Sequence, residues 1–427
     1  METIGAGLAR QAAIYRAGAL GHRPAVPAGF AALERRARRV SSRTAWAYVA
    51  GGAGEGRTMR RNREAFDRWA VVPRMASGAA SRDLSVDLLG VRHPTPVLLA
   101  PVGAAELMGR DSDVRIARAA AATGTAYVLS NQACNPMEQC AAALGKTPRF
   151  FQLYWSKDEG LVDSLIARAE AIGAGALVVT LDTTVLGWRP ADLTLGSLPF
   201  AQGIGIAQYT SDPRFRELVA ARAGGAARAG RPGAGAVRTA LGLARHRVSR
   251  AAVETFLDVY SNPGLSWDHL ATLRERTRLP VILKGVLHPD DARRAFDLGA
   301  AAVVVSNHGG RQVDNAIAAL DALVDIRAAV GPEPTLLFDS GIRTGADVFT
   351  ALALGADAVL LGRPYVYGLA IAGQRGVEEV IRNVVAELDL TMALSGTPNI
   401  PSITRDLLRE VAQIQRPPSH MRADQSS

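Results

Sequence analysis

The stretch Ala302-Val303-Val304-Val305-Ser306-Asn307-His308-Gly309-Gly310-Arg311-Gln312 runs from unbroken apolar residues straight into a histidine, two glycines and an arginine. Four consecutive small or β-branched side chains read as a strand buried on both faces, as in a parallel sheet. Polar residues that follow such a strand stand at its carboxyl end, where closed α/β barrels place general bases and anion clamps. A loop histidine beside a solvated arginine would look the same in isolation, so the rest of the chain decides.

Seven further runs have the same character: Val97 to Ala100, Ala126 to Leu129, Arg149 to Leu153, Ala176 to Thr180, Val281 to Lys284, Thr335 to Asp339 and Ala358 to Leu361. Amphipathic stretches lie between most of them, at Asp113 to Ala122, Pro136 to Leu144, Glu159 to Ile172, Pro289 to Leu298, Ala316 to Val330 and Ala346 to Leu354, several closed by glycine. Such alternation implies a parallel sheet, and eight units imply an α/β fold of the (β/α)8 TIM-barrel type. Successive strands begin 21 to 33 residues apart except for one interval of 105 after strand 4. The helix of that unit is expected at Trp267 to Thr277, so residues 191–263 read as a lid insertion on the carboxyl face of the barrel. Its middle, from Ala221 to Gly233, is low in complexity, whereas its edges carry Phe200, Tyr209 and Phe215. The expected organisation is one domain over 1–427: an N-terminal helical segment (1–95), the barrel (97–395) and a C-terminal helix and tail (396–427).

With 48% apolar residues in 427 and a mean hydropathy of +0.07, the chain has ample material for a core. Charge or Gly/Pro breaks every apolar run well before the roughly 18 residues a membrane span needs, so no membrane partner is expected. Met1 to Arg10 does not read as a signal peptide, and a cytoplasmic location is expected. Two cysteines, Cys134 and Cys140, are too few for a disulfide framework and fit no zinc spacing, so no metal is expected. The net charge of +9 is carried by arginines at 35–43 and 222–250 without aromatic interleaving, which reads as solvated surface and not as a nucleic-acid face. Of the 49 basic residues only Lys146, Lys157 and Lys284 are lysines, which makes a lysine closing an apolar strand conspicuous.

The strand ends are the informative positions. They read Pro101-Val102-Gly103, then Ser130, then Gln152 and Tyr154, then Thr180 and Asp182, then Lys284, then Ser306 and His308, then Asp339-Ser340-Gly341 with Arg343, and last Gly362-Arg363. The glycine and arginine pairs after strands 7 and 8 lie where barrels commonly bind phosphate. Lys284 would place an ammonium at the barrel mouth, suited to an anion that develops on a ligand. Gly52-Ala53-Gly54-Glu55-Gly56 follows no strand and reads as a loop that ends a helix, not as a dinucleotide fingerprint.

Ser306-Asn-His-Gly-Gly-Arg-Gln, Phe338-Asp-Ser-Gly-Ile-Arg-Thr-Gly-Ala-Asp-Val, Leu181-Asp-Thr-Thr-Val-Leu-Gly-Trp-Arg-Pro and Phe151-Gln-Leu-Tyr are long and specific signatures. On them the chain resembles the FMN-dependent α-hydroxy-acid oxidase and dehydrogenase family, over almost its whole length. It is most similar to the lactate 2-monooxygenase branch, through the leader Ile14-Tyr15…Gly18…Gly21…Pro24…Pro27, the Gly-Trp-Arg-Pro run and a lid beginning Pro199-Phe200. The resemblance implies FMN as cofactor and a small L-2-hydroxy acid as substrate. It implies His308 as the catalytic base, Asp182 as the carboxylate that orients it, and Arg189 and Arg311 as the clamp on the substrate carboxylate. Tyr48 and Tyr154 would hydrogen-bond the substrate, and Lys284 would stand beside the flavin N1 and C2 carbonyl. Pro101, Val102, Gly103, Ser130, Gln152, Thr180 and Ser306 would line the flavin, and Asp339, Ser340, Gly341, Arg343, Gly362 and Arg363 its ribityl and phosphate site. Dioxygen is the implied electron acceptor and a homotetramer or homo-octamer the implied assembly. Ser130-Asn131-Gln132-Ala133-Cys134 departs from the family pattern and leaves the substrate side chain open.

Overall fold

A computed structural model describes residues 5–224 and 248–411. Eight parallel strands, β1 (Val97–Leu99), β2 (Tyr127–Leu129), β3 (Arg149–Leu153), β4 (Leu177–Thr180), β5 (Val281–Val286), β6 (Ala302–Val305), β7 (Leu336–Phe338) and β8 (Ala358–Leu361), close into a barrel in chain order. The fold is thus the (β/α)8 barrel that the strand and helix periodicity implied. Because side chains alternate across a strand, Leu98, Val128, Phe150, Val178, Ile282, Val304, Leu337 and Leu360 fill the barrel interior. The opposite faces, among them Leu99, Leu129, Val303 and Phe338, pack against the outer helices.

The helices begin and end where local chemistry allows. Asp158 accepts from the Leu161 amide at the start of Glu159–Ala171, and Thr344 forms a capping box with Asp347 at the start of Gly345–Ala353. Gly124, at φ +68°, closes Ser112–Thr123. The helix expected over Trp267 to Thr277 is broken into Trp267–Ala271 and Leu273–Arg276. Thr272 is the break, because its hydroxyl and its amide both turn back to the His269 carbonyl, at 2.7 and 3.2 Å.

The segment before the barrel is not purely helical. Four helices, Ala6–Ala19, Phe30–Val40, Arg43–Ala50 and Arg57–Asp67, are followed by strand Trp69–Val71 and a hairpin of Val86–Leu88 and Val91–His93. Leu88 of that hairpin joins the interior cluster and closes the barrel floor. Trp69–Val71 pairs antiparallel with Leu408–Glu410. The last long helical stretch, Arg363–Ser395, kinked at Ala372 and Gly373, belongs to the β8 unit, and residues 397–410 form 3-10 turns and that strand. No long helix follows residue 396 among the described residues; 412–427, the other half of the stretch expected to hold a C-terminal helix and tail, lie outside them, as does most of the low-complexity middle of the insertion.

The described parts of the insertion between β4 and β5 are Pro190–Thr194, Pro199–Gln202, Ala207–Thr210, Pro213–Gly224 and Arg250–Val259. Aromatic packing fastens them together. Phe256 lies 4.8 Å from both Tyr209 and Tyr260 and 5.4 Å from Phe200, and Phe200 meets Tyr48 edge-on at 6.3 Å. Among the described residues no helix is long and apolar enough to cross a membrane, and no cluster of His, Cys, Asp and Glu could hold a metal ion.

Candidate active site

A cavity of about 990 Å³ opens at the carboxyl ends of the strands. Most of the side chains singled out in the sequence line it: Tyr48, Pro101, Val102, Gly103, Gln152, Tyr154, Arg189, Lys284, His308, Arg311, Asp339, Ser340, Gly341, Arg343, Gly362 and Arg363. The other four, Ser130, Thr180, Asp182 and Ser306, stand one hydrogen bond behind it.

His308 follows β6 with φ +58°, a left-handed conformation that costs a non-glycine residue about 1–3 kcal/mol. Hydrogen bonds hold the turn. Its amide donates to Ser306 Oγ at 3.0 Å, that of Gly309 to Ser340 Oγ at 2.9 Å, and that of Gly310 to Asn307 Oδ1 at 3.1 Å. From this turn His308 Nδ1 reaches Asp182 Oδ1 at 2.7 Å, and Thr183 Oγ1 donates to the same oxygen at 2.9 Å. Burial works to raise the Asp182 carboxyl, but the charge and hydrogen bond of His308, then Lys284 and Thr183, outweigh it and leave the group below the usual carboxylate range. Burial moves the His308 imidazole the other way, below its ordinary value, with Asp182 opposing and Lys284 and Arg189 assisting. The resulting pair is an anionic carboxylate and a neutral imidazole. Its Nδ1 carries the proton toward Asp182 and its Nε2 is left with a lone pair.

Asp182 fits because β5 bulges. The register with β6 shifts between Lys284 and Val286, and Gly285 between them has φ +103°. A Cβ on Gly285 would lie 2.8 Å from the Asp182 side chain, so the bulge needs glycine twice over. The bulge also aims Lys284 inward. Its Nζ bonds Ser306 Oγ at 2.8 Å and pairs with Asp339 Oδ2 at 2.9 Å. Burial opposes the ammonium, but Asp339 and Asp182 prevail and hold it above its ordinary pKa. On the far wall Ser130 Oγ donates to Gln152 Oε1 at 3.2 Å and Gln152 Nε2 to Thr180 Oγ1 at 2.9 Å, a fixed polar row across β2, β3 and β4.

Four arginines converge on the cavity, and among the described residues none has a carboxylate within ion-pair distance. Arg189 Nε donates to the Arg311 carbonyl at 3.1 Å. Arg311 packs over the Tyr48 ring at 4.8 Å and donates to the carbonyls of Tyr48 and Gly51. Arg363 donates to the carbonyls of Val49, Gly51 and Gly309 at 2.9 to 3.0 Å, and Arg343 lies over Phe30 at 4.8 Å. Burial and then the neighbouring Arg189 push the Arg311 guanidinium down to about 9; burial and then Arg363 push Arg343 down to about 10. Buried cations left without anions are costly. A site of this composition is suited to two anionic groups, one beside Arg343 and Arg363 and one beside Arg189 and Arg311. Next to the first pair, Gly341 (φ +133°) and Gly362 present bare backbone, as a phosphate cradle requires. Burial first raises the phenols of Tyr48 and Tyr154, which therefore stay protonated as donors.

Thr183 was not singled out in the sequence, although it lines the cavity and shares the Asp182 oxygen with His308. Its only signal was its place next to Asp182. Gln132 and Leu186 also line the cavity, Gln132 beside Gly103. Behind the His308 turn, Asn62 and Asn307 exchange side-chain amide bonds at 2.7 and 2.8 Å, a contact between residues 245 apart. The loop after Arg43–Ala50 ends that helix as expected, and it packs against the His308 turn through Gly52 and the Gly310 carbonyl.

Comparison with known proteins gives a consistent picture. A family model described as FMN-dependent dehydrogenase matches residues 37–410. An FMN-dependent alpha-hydroxy acid dehydrogenase, qulF, of Penicillium citrinum is 42% identical over 411 residues, covering 94% of this chain and 96% of its own. An L-lactate oxidase of Lysinibacillus sphaericus is 37% identical over 88% of this chain and 91% of its own. A crystal structure of mandelate oxidase with (S)-4-hydroxymandelic acid superposes with a TM-score of 0.75 at 34% identity, covering 90% of this chain and 98% of that one.

Proposed function

The chain belongs to the family of FMN-dependent dehydrogenases, and from that premise we propose that it oxidises an L-2-hydroxy acid at His308 and passes the electrons to dioxygen. FMN-dependent oxidation of an α-hydroxy acid is the family's reaction, and FMN is its cofactor. The single observation that carries the finer reading is the His308 imidazole, held by Asp182 at 2.7 Å, on one cavity with two arginines that lack a carboxylate partner and with two tyrosines.

The residues present suit FMN. Arg343, Arg363, Gly341 and Gly362 would take its phosphate and Asp339 with Ser340 its ribityl chain. Pro101 to Gly103, Ser130, Gln152, Thr180, Ser306 and Lys284 would contact its ring. When bound, FMN supplies the two-electron acceptor for the substrate's α-carbon. The protein's own part begins with Arg189 and Arg311, whose planar donors hold the substrate carboxylate. Tyr48 and Tyr154 donate to its oxygens. His308 Nε2 accepts the substrate proton, and Asp182 stabilises the imidazolium that results. The Lys284 ammonium, charged through the neutral range, stabilises negative charge that develops beside it.

With lactate and dioxygen the lactate 2-monooxygenase outcome would be acetate, carbon dioxide and water. It requires that the 2-oxo acid stay in the closed site, and the aromatic fastening of the insertion to Tyr48 through Phe200 supports retention. An oxidase would instead release the 2-oxo acid and hydrogen peroxide. Anaerobic reduction with a panel of 2-hydroxy acids, followed by oxygen and product analysis, separates the two. His308→Ala should keep FMN yet no longer be bleached by substrate; normal bleaching would remove the assignment. A dehydrogenase of a bulkier hydroxy acid is a second reading, favoured by the description of the 42% identical relative and by the aromatic acid bound in the mandelate oxidase structure. Slow recolouring in air would select it. We also infer a homotetramer or homo-octamer, to be checked by light scattering. Exposed Leu8, Tyr15 and Leu394, on two helices that pack together, offer surface for such contacts.

A further inference from the structure

Two buried side-chain amides lie behind the cavity without lining it: Asn62, on helix Arg57–Asp67, and Asn307, the residue before the base. Their partners decide which way each amide points. The Ala319 amide, first of helix Ala319–Val330, donates to Asn62 Oδ1 at 3.1 Å, which ties that oxygen to the helix and leaves Nδ2 for the turn. Asn62 Nδ2 donates to Asn307 Oδ1 at 2.8 Å; Asn307 Nδ2 donates back at 2.7 Å and to the Ile317 carbonyl at 3.1 Å. Oriented in this way, Asn307 Oδ1 accepts from the Gly310 amide at 3.1 Å, beside the Asn307 carbonyl at 3.0 Å. Reversing either amide would set N–H against N–H. The turn needs such a hold. His308, Gly309 and Gly310 stand in succession at φ +58°, +63° and +73°, and left-handed residues normally occur singly. The helix presses on it from behind, since a Cβ on Gly310 would lie 2.8 Å from the Met59 backbone. Arg63, next to Asn62, serves the other end of the cavity: it donates to the Gly341 carbonyl and pairs at 2.9 Å with Asp347, which accepts from the Arg343 amide.

Resting on the function proposed above, we infer that Asn62 is a positioning residue for the oxidation: through Asn307 it fixes the turn that carries His308 to the substrate's α-carbon and Arg311 to its carboxylate. Asp182 orients the imidazole ring, whereas Asn62 sets the backbone from which the ring and the guanidinium both start. Its amide direction is in turn set by a helix end, so the base is registered against the outer layer of the barrel and not only against the strands.

The test uses FMN-loaded enzyme, a 2-hydroxy acid that bleaches the wild type, and the variants Asn62→Ala, Asn62→Asp, Asn307→Ala and Asn62→Ala with Asn307→Ala. Asn62→Asp keeps the size of the side chain and the acceptor for Ala319 but sets an oxygen against Asn307 Oδ1, and so guards against a simple cavity effect. Both Asn62 variants should keep their FMN, because Arg63 remains, and should bleach at a limiting rate lowered by about 10- to 100-fold, the effect of a shift of about 1 Å at the reacting groups. The double variant should be no slower than the slower single one, since both substitutions break one contact. In Asn62→Ala the groups that face the imidazole, Asp182, Lys284 and Arg189, are unaltered. A loosened turn admits water to His308, so the acid limb should move to higher pH, opposite in sign to the shift expected on neutralising Asp182. A limiting rate lowered by less than about tenfold overturns the inference, as does an acid limb that stays in place or a double variant whose losses multiply. Variants that unfold or lose FMN overturn it too, by assigning Asn62 to the fold. If no acid bleaches the wild type, the parent reading fails and this one with it; a bleaching wild type with any of the other adverse results sinks this one alone.

Discussion

Replacing Asp182 with asparagine removes one charge and almost no volume, and its effect can be worked from the geometry. When His308 takes a proton, a positive imidazole faces the carboxylate across a 2.7 Å hydrogen bond. Charge centres about 4 Å apart at an effective dielectric of about 20 attract by about 4 kcal/mol, or about three decades of rate. Because the proton is only partly transferred at the transition state, Asp182→Asn should lower kcat/KM by about 10²- to 10³-fold. The pH dependence gives a second and independent sign. The base works in its neutral form, so kcat/KM rises with pH and levels off above the His308 pKa, which burial holds below the ordinary 6.5. Asp182 is the main influence that raises that pKa. Its neutralisation should move the acid limb to still lower pH even as the plateau drops. Stopped-flow bleaching of the flavin across the acid range, with FMN content confirmed, reads both. A loss under tenfold, or an acid limb that moves upward, would refute the assignment.

Arg311→Lys keeps the charge but loses the planar fork, so KM should rise by about 10- to 100-fold with a smaller change in kcat, as steady-state kinetics would show. Gly285→Ala forces a side chain into a left-handed residue and against Asp182; we expect at least about 1–3 kcal/mol of lost stability in denaturant titration, together with weakened substrate bleaching. FMN at about 100 times its Kd should stabilise the apoprotein by about 2.7 kcal/mol, and inorganic phosphate should recover part of this where chloride at equal ionic strength does not. Equal effects of the two salts would count against Arg343 and Arg363 as the phosphate site. Asp113 is buried and its carboxyl raised to about 6, above its unfolded value of 3.8. The fold therefore favours the protonated form, and the cost of ionising it appears as pH rises from about 4 to about 6. Asp113→Asn should flatten that slope in urea midpoints.

Much of this molecule can be read from the chain because parallel barrel strands are buried on both faces and so appear as apolar runs. Ala302 to Val305 was legible to the residue, and strands expected from Ala126, Ala176 and Thr335 begin one residue later. The insertion announced itself through one long interval, although the periodicity could not show that Thr272 would break the helix after it. The site was legible where it sits at strand ends. His308, Lys284 and Arg363 fall there, while Tyr48 and Arg189 came from the family resemblance alone. Contacts between distant segments were invisible: the Leu88 plug, the Asn62–Asn307 exchange and the approach of Thr183 to His308. No local pattern encodes a partner 245 residues away.

The joining of residues 48–51 to both Arg311 and Arg363 has a bearing on biosynthesis. The pocket is stitched from the first and last parts of the chain, with separations of 260 to 314 residues. During translation, its phosphate end does not exist until residue 363 has cleared the ribosome. Pigment uptake is therefore a late event, and prematurely terminated chains should emerge colourless and not as partly active fragments.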